Sequence, residues 1–176
     1  TIDGISYSRI VADGRADSSG TEASSTLQGD AGADFISGDG GDDDLAGGAS
    51  GDFLLAGAGD DTLTGGGGND TLDGGAGADV AVLSGNASDY TVSVGNDGTI
   101  TVTDDRAGSP DGTDTVTGVE AIRTADGFIV ADGMSIQAAI DAAESGDTIR
   151  VGAGTYGESL TVDKAVLIYL LPTSLA

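Results

Sequence analysis

The sequence contains no cysteine, no histidine and no tryptophan. Without cysteine there is no disulfide and no thiol nucleophile. Without histidine as well, a zinc site of the usual kind and a Ser-His-Asp triad are excluded. Positive charge is scarce: Arg9, Arg15, Arg106, Arg123, Arg150 and Lys164 face 30 acidic residues, a formal net charge of -24 over 176 residues. Such a chain is not expected to bind nucleic acid through counterion release, and an anionic membrane surface repels it. No apolar run approaches the roughly 18 residues of a membrane-spanning helix. Leu, Ile, Val and Phe together number 38. That is close to the level of roughly 20% below which a highly charged chain stays disordered. Something must neutralise the acids before this chain compacts.

Glycine and aspartate are what the chain has instead. It carries 32 Gly, and 26 of its 30 acids are Asp. Glu would suit a solvated helix, whereas Asp favours turns and caps, and Asp beside Gly is the composition of calcium loops. From Gly29 to Val82 the chain divides without gaps into six nonapeptides: GDAGADFIS, GDGGDDDLA, GGASGDFLL, AGAGDDTLT, GGGGNDTLD and GGAGADVAV. The sixth position is always Asp: Asp34, Asp43, Asp52, Asp61, Asp70 and Asp79. The eighth is always apolar: Ile36, Leu45, Leu54, Leu63, Leu72 and Ala81. The fourth is Gly in five of six, with Ser50 the exception.

This G-G-x-G-x-D-x-U-x pattern resembles the calcium-binding nonapeptide of RTX (hemolysin-type) proteins. Each block has a six-residue Gly/Asp loop and a short strand of three residues with its middle side chain directed to one face. The resemblance implies a right-handed parallel β-roll in which two blocks make one turn. Residues eighteen apart then stack. Asp34, Asp52 and Asp70 form one column; Asp43, Asp61 and Asp79 form the other. At a strand spacing of about 4.8 Å such columns repel. A Ca²⁺ ion between successive loops removes that repulsion, since it accepts 6–8 oxygen ligands in flexible geometry, while Mg²⁺ demands a tighter octahedron. The six column aspartates are the expected metal ligands, in up to four inter-turn sites pairing Asp34 with Asp52, Asp52 with Asp70, Asp43 with Asp61 and Asp61 with Asp79. Asp42, Asp44 and Asp60 are expected outside the ligand positions. Asp30, Asp39, Ser50 and Ala56 depart from the pattern and are expected to weaken their sites. Without Ca²⁺ the array is expected to be disordered, so that ion binding and folding are one event.

Four segments follow from the composition: an N-terminal flank (1–28), the nonapeptide roll (29–82), a β-rich capping region (83–130) and a partial β-helix-like cap and coil (131–176). In the first, Ile2, Ile5, Ile10 and Val11 suggest a short strand and Ser18 to Ser25 a loop. In the third, Tyr90, Val92, Val94, Ile100 and Val102 alternate around Gly95-Asn96-Asp97-Gly98, which predicts a hairpin over about 89–103. A further strand pair is expected at Thr115 to Val119 and Ala121 to Val130. The run through Ser88-Asp89-Tyr90, Gly112-Thr113-Asp114-Thr115-Val116 and Ala125-Asp126-Gly127 resembles segments that follow RTX arrays in secreted bacterial proteins, which implies a cap for the open roll. In the fourth, Ser135 is expected to cap a helix bearing Ile136, Ala139, Ile140 and Ala143 on one face, ended by Gly146. Strand material is expected at Asp147 to Val151 and Leu160 to Leu171, with a turn between. The stretch SIQAAIDAAESGDTIRVGAGTYGESLTVDKAVLI resembles the opening cap and first coil of pectate-lyase-type parallel β-helix proteins. It carries no catalytic residue of that family across. The fold class expected is mainly β: an RTX-type roll flanked by a small antiparallel cap and a short α/β segment.

No catalytic constellation emerges. A glycosidase needs paired carboxylates in a sugar cleft, and four Tyr with three Phe make a poor platform. The GGGGND loop has no Lys to meet a phosphate. Arg150, Tyr156 and Lys164 read as structural residues of a turn region. Thr1 in place of an initiator Met suggests a processed chain or a fragment, and the first twenty residues show no secretory signal pattern. The expectation is a non-enzymatic Ca²⁺-binding module of a secreted bacterial protein, which the resemblance ties to type I secretion and folding outside the cell. The alternatives are a non-catalytic accessory to a polysaccharide-modifying enzyme of alginate-epimerase type, with extracellular polysaccharide as partner, and a self-associating adhesin or surface-layer piece.

Overall fold

The computed structural model describes residues 17–21 and 23–171. The expected strand around Ile2 to Val11 lies outside them. Two sheets face each other across a core one side chain deep on each side. Strands β1 (Asp17–Thr21), β3 (Phe35–Gly40), β5 (Phe53–Ala58) and β7 (Thr71–Ala76) stack in parallel in one sheet. Strands β2 (Thr26–Gln28), β4 (Asp44–Ala49), β6 (Thr62–Gly67) and β8 (Val80–Val82) do so in the other. The chain alternates between sheets at every nonapeptide, so two nonapeptides make one coil. The register follows: Ile36 pairs with Leu54 and Leu54 with Leu72, while Leu27 pairs with Leu45 and Leu45 with Leu63. These aliphatic ladders are almost wholly buried. The molecule is a β-solenoid of stacked parallel coils of the β-roll kind.

The strands are longer than the three residues expected. Most run for six, from the seventh position of one nonapeptide into the third of the next. The reason is the absence of side chains at the leading glycines, which lets coil lie directly on coil. A Cβ built on Gly66 would fall 2.1 Å from the Gly48 carbonyl oxygen. In the second to sixth nonapeptides, positions two and four all have positive φ, including the non-glycine residues Asp39 (69°) and Ser50 (80°). Left-handed backbone costs a residue with a Cβ about 1 kcal/mol. Ser50 recovers part of this through a 2.9 Å hydrogen bond from its hydroxyl to the Ala31 carbonyl. Ser50→Gly is therefore expected to stabilise the folded roll by about 0.5 kcal/mol. Gly66→Ala, at φ 98° and against a backbone atom, is expected to cost about 2 kcal/mol or more. Thermal melts of the two variants in Ca²⁺ check both signs.

The coils extend past the nonapeptides at each end. Upstream, β1 replaces the loop expected over Ser18 to Ser25, and β2 places Leu27 in the core ladder. Downstream, the hairpin appears as expected: β9 (Tyr90–Val94) and β10 (Ile100–Asp104) pair antiparallel around the Gly95 turn. The next strands differ from expectation. β11 (Thr113–Thr117) and β12 (Ala121–Thr124) do not pair with each other. β11 joins the first sheet, parallel to β7 and antiparallel to β10, and β12 joins the second, parallel to β8. The stretch from Ala121 to Val130 is two strands, because Ala125-Asp126 turns the chain back into β13 (Gly127–Val130).

The last segment adds parallel strands β14 (Thr148–Val151) and β15 (Leu167–Leu170) to the second sheet. Only Leu167–Leu170 of the apolar stretch expected from Leu160 is a strand. It is an edge strand with mostly exposed side chains. The helix α1 (Ile136–Ala142) starts as expected, with the Ser135 hydroxyl accepting from the Ala138 N–H and Ile136, Ala139 and Ile140 buried, but it ends at Ala142, before Gly146, and Ala143 is its extended cap. Ser135, Ile136 and Gln137 are further tied to the Glu158 carboxylate. Lys164 reaches the carbonyls of Ile140, Asp141 and Ala143 at the helix end.

Candidate metal centre

The sixth position of each nonapeptide ends the Gly-rich loop and turns its side chain inward. All six column aspartates are buried. Each carboxylate has two different environments. One oxygen accepts the backbone N–H of the aspartate eighteen residues earlier: Asp52 from Asp34 at 2.8 Å, Asp70 from Asp52 at 2.8 Å, Asp61 from Asp43 at 2.7 Å and Asp79 from Asp61 at 2.9 Å. The structure thus brings together the four pairs expected from the repeat period. Asp43 accepts likewise from the Ser25 N–H.

The second oxygen is where the chemistry lies. Oδ2 of Asp43, Asp52, Asp61, Asp70 and Asp79 is buried and has no hydrogen-bond partner. The corresponding oxygen of Asp34 accepts the Asp30 N–H. Leaving a buried carboxylate oxygen without a partner costs more than leaving a neutral acceptor so. The ionised form suffers accordingly. Burial raises the carboxyl pKa of Asp43, Asp61 and Asp70 above the usual range. It carries Asp52 to about 6 and Asp79 to about 7, in each case reinforced by neighbouring carboxylates.

Such oxygens fit a hard cation. Among the described residues no three acidic side chains converge on one point. A cation held here would therefore draw on the Asp oxygens and complete its shell from loop carbonyls. That requirement suits Ca²⁺, with its 6–8 oxygen ligands, and fits the loops, whose glycines leave their carbonyls free of side-chain cover. The departure at Ala56 leaves the free oxygen in place: Asp61 keeps its unpartnered Oδ2 although Ala56 opens that nonapeptide in a fully buried position. Asp42, Asp44 and Asp60 lie on the exposed outer surface. Asp42 accepts from the Asp60 N–H and Asp60 from the Ala78 N–H, a second column that is open to water.

Both inner columns continue beyond the nonapeptides, which the repeat search missed. Asp70 donates its N–H to Asp114 at 2.9 Å, and Asp79 donates to Glu120 at 2.7 Å. Burial and the charges of Asp70, Asp111 and Asp104 raise Asp114 to about 7. The signal was present in Gly112-Thr113-Asp114-Thr115-Val116, which has the G-x-D-x-U spacing, but an intervening segment breaks the nine-residue period. That segment is anchored by charge. Arg106 pairs with Asp104 and Asp111 at 2.9 Å each, and Asp111 accepts from the Tyr90 hydroxyl at 2.5 Å and from Ser84.

The sequence model of the RTX calcium-binding nonapeptide repeat matches residues 19–54 and 47–81. Residues 19–81 therefore form an RTX repeat array, built as a β-roll. RTX nonapeptide repeats bind Ca²⁺, so this segment is a calcium-binding module. No curated protein matches the chain. Repeats of this kind are typical of secreted proteins, and among the described residues no helix is long and apolar enough to cross a membrane.

Proposed function

We propose that the chain is a non-catalytic calcium-dependent folding module, unfolded where Ca²⁺ is scarce and ordered after secretion. The ligands in this reading are Asp34, Asp43, Asp52, Asp61, Asp70 and Asp79, within a roll at 29–82 flanked by the segments 1–28, 83–130 and 131–176. The observation that carries it is the ladder of buried, unpartnered carboxylate oxygens from Asp43 to Asp79. A cell interior low in Ca²⁺ leaves those charges unbalanced and the array soft. An exterior with Ca²⁺ at roughly 10⁻⁴–10⁻³ M, the affinity range of extracellular modules, folds it. The absence of cysteine agrees with a fold stapled by ions instead of disulfides.

Calorimetric titration of the EGTA-treated chain with Ca²⁺ tests this. Several ions are expected to bind cooperatively in that concentration range, and Mg²⁺ at equal concentration is expected not to replace them. Saturation by Mg²⁺ with the same heat and stoichiometry would contradict the reading.

A second reading makes the module an accessory to a polysaccharide-modifying enzyme. It is favoured by Phe35 and Phe53, whose partly exposed rings stack 5.6 Å apart and nearly parallel on the outer face of the first sheet. Co-sedimentation with alginate in the presence and absence of Ca²⁺ separates the two readings.

A further inference from the structure

Among the described residues the second sheet ends on β15. The strand before it, β14, is well covered. Its Ile149 and Val151 are fully buried and continue the inner ladder from Phe128 and Val130. Ile168 takes the next place after Ile149, and Leu170 the next after Val151. Ile168 packs against the core, but Leu170 is 79% exposed. An inward position of the ladder is thus left uncovered. Leu167 and Tyr169, on the outer face of the same strand, are exposed as well.

The backbone of β15 is equally open on one side. The Leu167 N–H donates to the Asp147 carbonyl and the Leu171 N–H to the Val151 carbonyl. Peptide groups alternate in direction along a strand, so the N–H and C=O of Ile168 and Leu170 point to the free edge. Proteins ordinarily blunt such an edge with lysine, proline or a bulge. β15 has none of these. Ala165 to Leu171 contains no charged residue and no proline, in a chain of net charge -24. Of the nine exposed large hydrophobic residues among the described ones, six lie between Leu160 and Leu171.

We propose that β15 is the interface of a twofold dimer, paired edge to edge with β15 of a second copy of this chain. Charge singles out the place: two such acidic chains repel over most of their surface, and an uncharged strand is where that repulsion is least. The strand is also its own complement. A twofold axis normal to the sheet at Tyr169 runs the two strands antiparallel and keeps their inner faces on one side. Ile168 then lies opposite Leu170 of the second copy. Both residues point their N–H and C=O outward, which makes a hydrogen-bonded pair of an antiparallel ladder. The pair occurs twice, and each covers a Leu170 and carries the inner ladder across the junction. Both free edges are used, so assembly closes at two. The proposal rests on the second sheet and not on the metal assignment.

Light scattering during size-exclusion chromatography of the full chain in Ca²⁺ tests the interface. The wild-type mass is expected to be that of two chains. Leu170→Lys charges a position that is already exposed, and is expected to halve the mass with an unchanged circular dichroism spectrum. Phe53→Lys, on the outer face of the roll, is expected to leave the dimer intact. Hydrogen exchange needs no variant: the Ile168 and Leu170 amides are expected to be protected in the wild type and to lose protection on dilution. A mass that grows past two chains, a dimer that survives Leu170→Lys, or one lost in a folded Phe53→Lys overturns the proposal. A single-chain mass with the roll folded in Ca²⁺ overturns it too, and leaves the calcium reading standing.

Discussion

Withdrawal of Ca²⁺ by EGTA at neutral pH is expected to abolish most of the β signal in the far-ultraviolet circular dichroism spectrum, reversibly. Ordering a residue costs about 1–2 kcal/mol. Against this each coil of eighteen residues offers two large aliphatic side chains, such as Leu54 and Leu63, at about 1.5–3 kcal/mol each. Five buried carboxylate oxygens without partners add a further penalty. The ladder of backbone hydrogen bonds does not close that gap alone. Hydrogen exchange should localise the change, with amides of β3 to β8 protected only in Ca²⁺. A β spectrum unchanged by EGTA would mean that the roll stands without the ion.

The metal-free chain is expected to gain structure on acidification, the reverse of ordinary acid denaturation. Asp52, Asp79 and Asp114 have folded-state pKa values raised to about 6, 7 and 7, with burial as the first cause. A folded state that binds protons more tightly than the unfolded chain is stabilised by them. This contribution is complete below the unfolded value near 3.8 and is lost as pH rises through 6 and 7. In Ca²⁺ the sign reverses, because the ion needs the ionised carboxylates and protons compete with it as pH falls through the same window. The β signal in circular dichroism at pH 5 and 7.5, for the chain freed of metal by dialysis and again in Ca²⁺, reads both signs. Asp79→Asn isolates the effect from the general loss of net charge. It should raise metal-free stability at pH 7.5, flatten its pH dependence and weaken Ca²⁺ binding. A metal-free chain more stable at pH 7.5 than at pH 5 would refute this account.

The nonapeptide alone gave the register, the two aliphatic ladders and the positions of the column aspartates. A strict period turns sequence distance into spatial adjacency, so Asp34 and Asp52 had to meet once two blocks made a coil. Local rules also sufficed for the Gly95 turn and for Ser135 at the start of α1. The period failed where it was interrupted. Asp114 and Glu120 occupy the next places in the two columns, yet neither stands at a multiple of nine from its partner. Strand length was misjudged because the first glycines of each block look like loop. They pair as strand only when the coil above lies close enough, as Gly57 does on Gly75.

Composition and period together determined that this chain coils, that it coils every eighteen residues, and that its inner edge is lined with aspartate. These properties depend on residue type and spacing, which are local. Tertiary structure decided where the coil resumes after the inserted hairpin, that β11 and β12 go to opposite sheets, and which oxygen of each aspartate is left without a partner. The first two outcomes depend on contacts between residues 41 and 44 positions apart, a separation that no repeat in the sequence encodes, and the third on which oxygen the backbone N–H of the neighbouring coil takes.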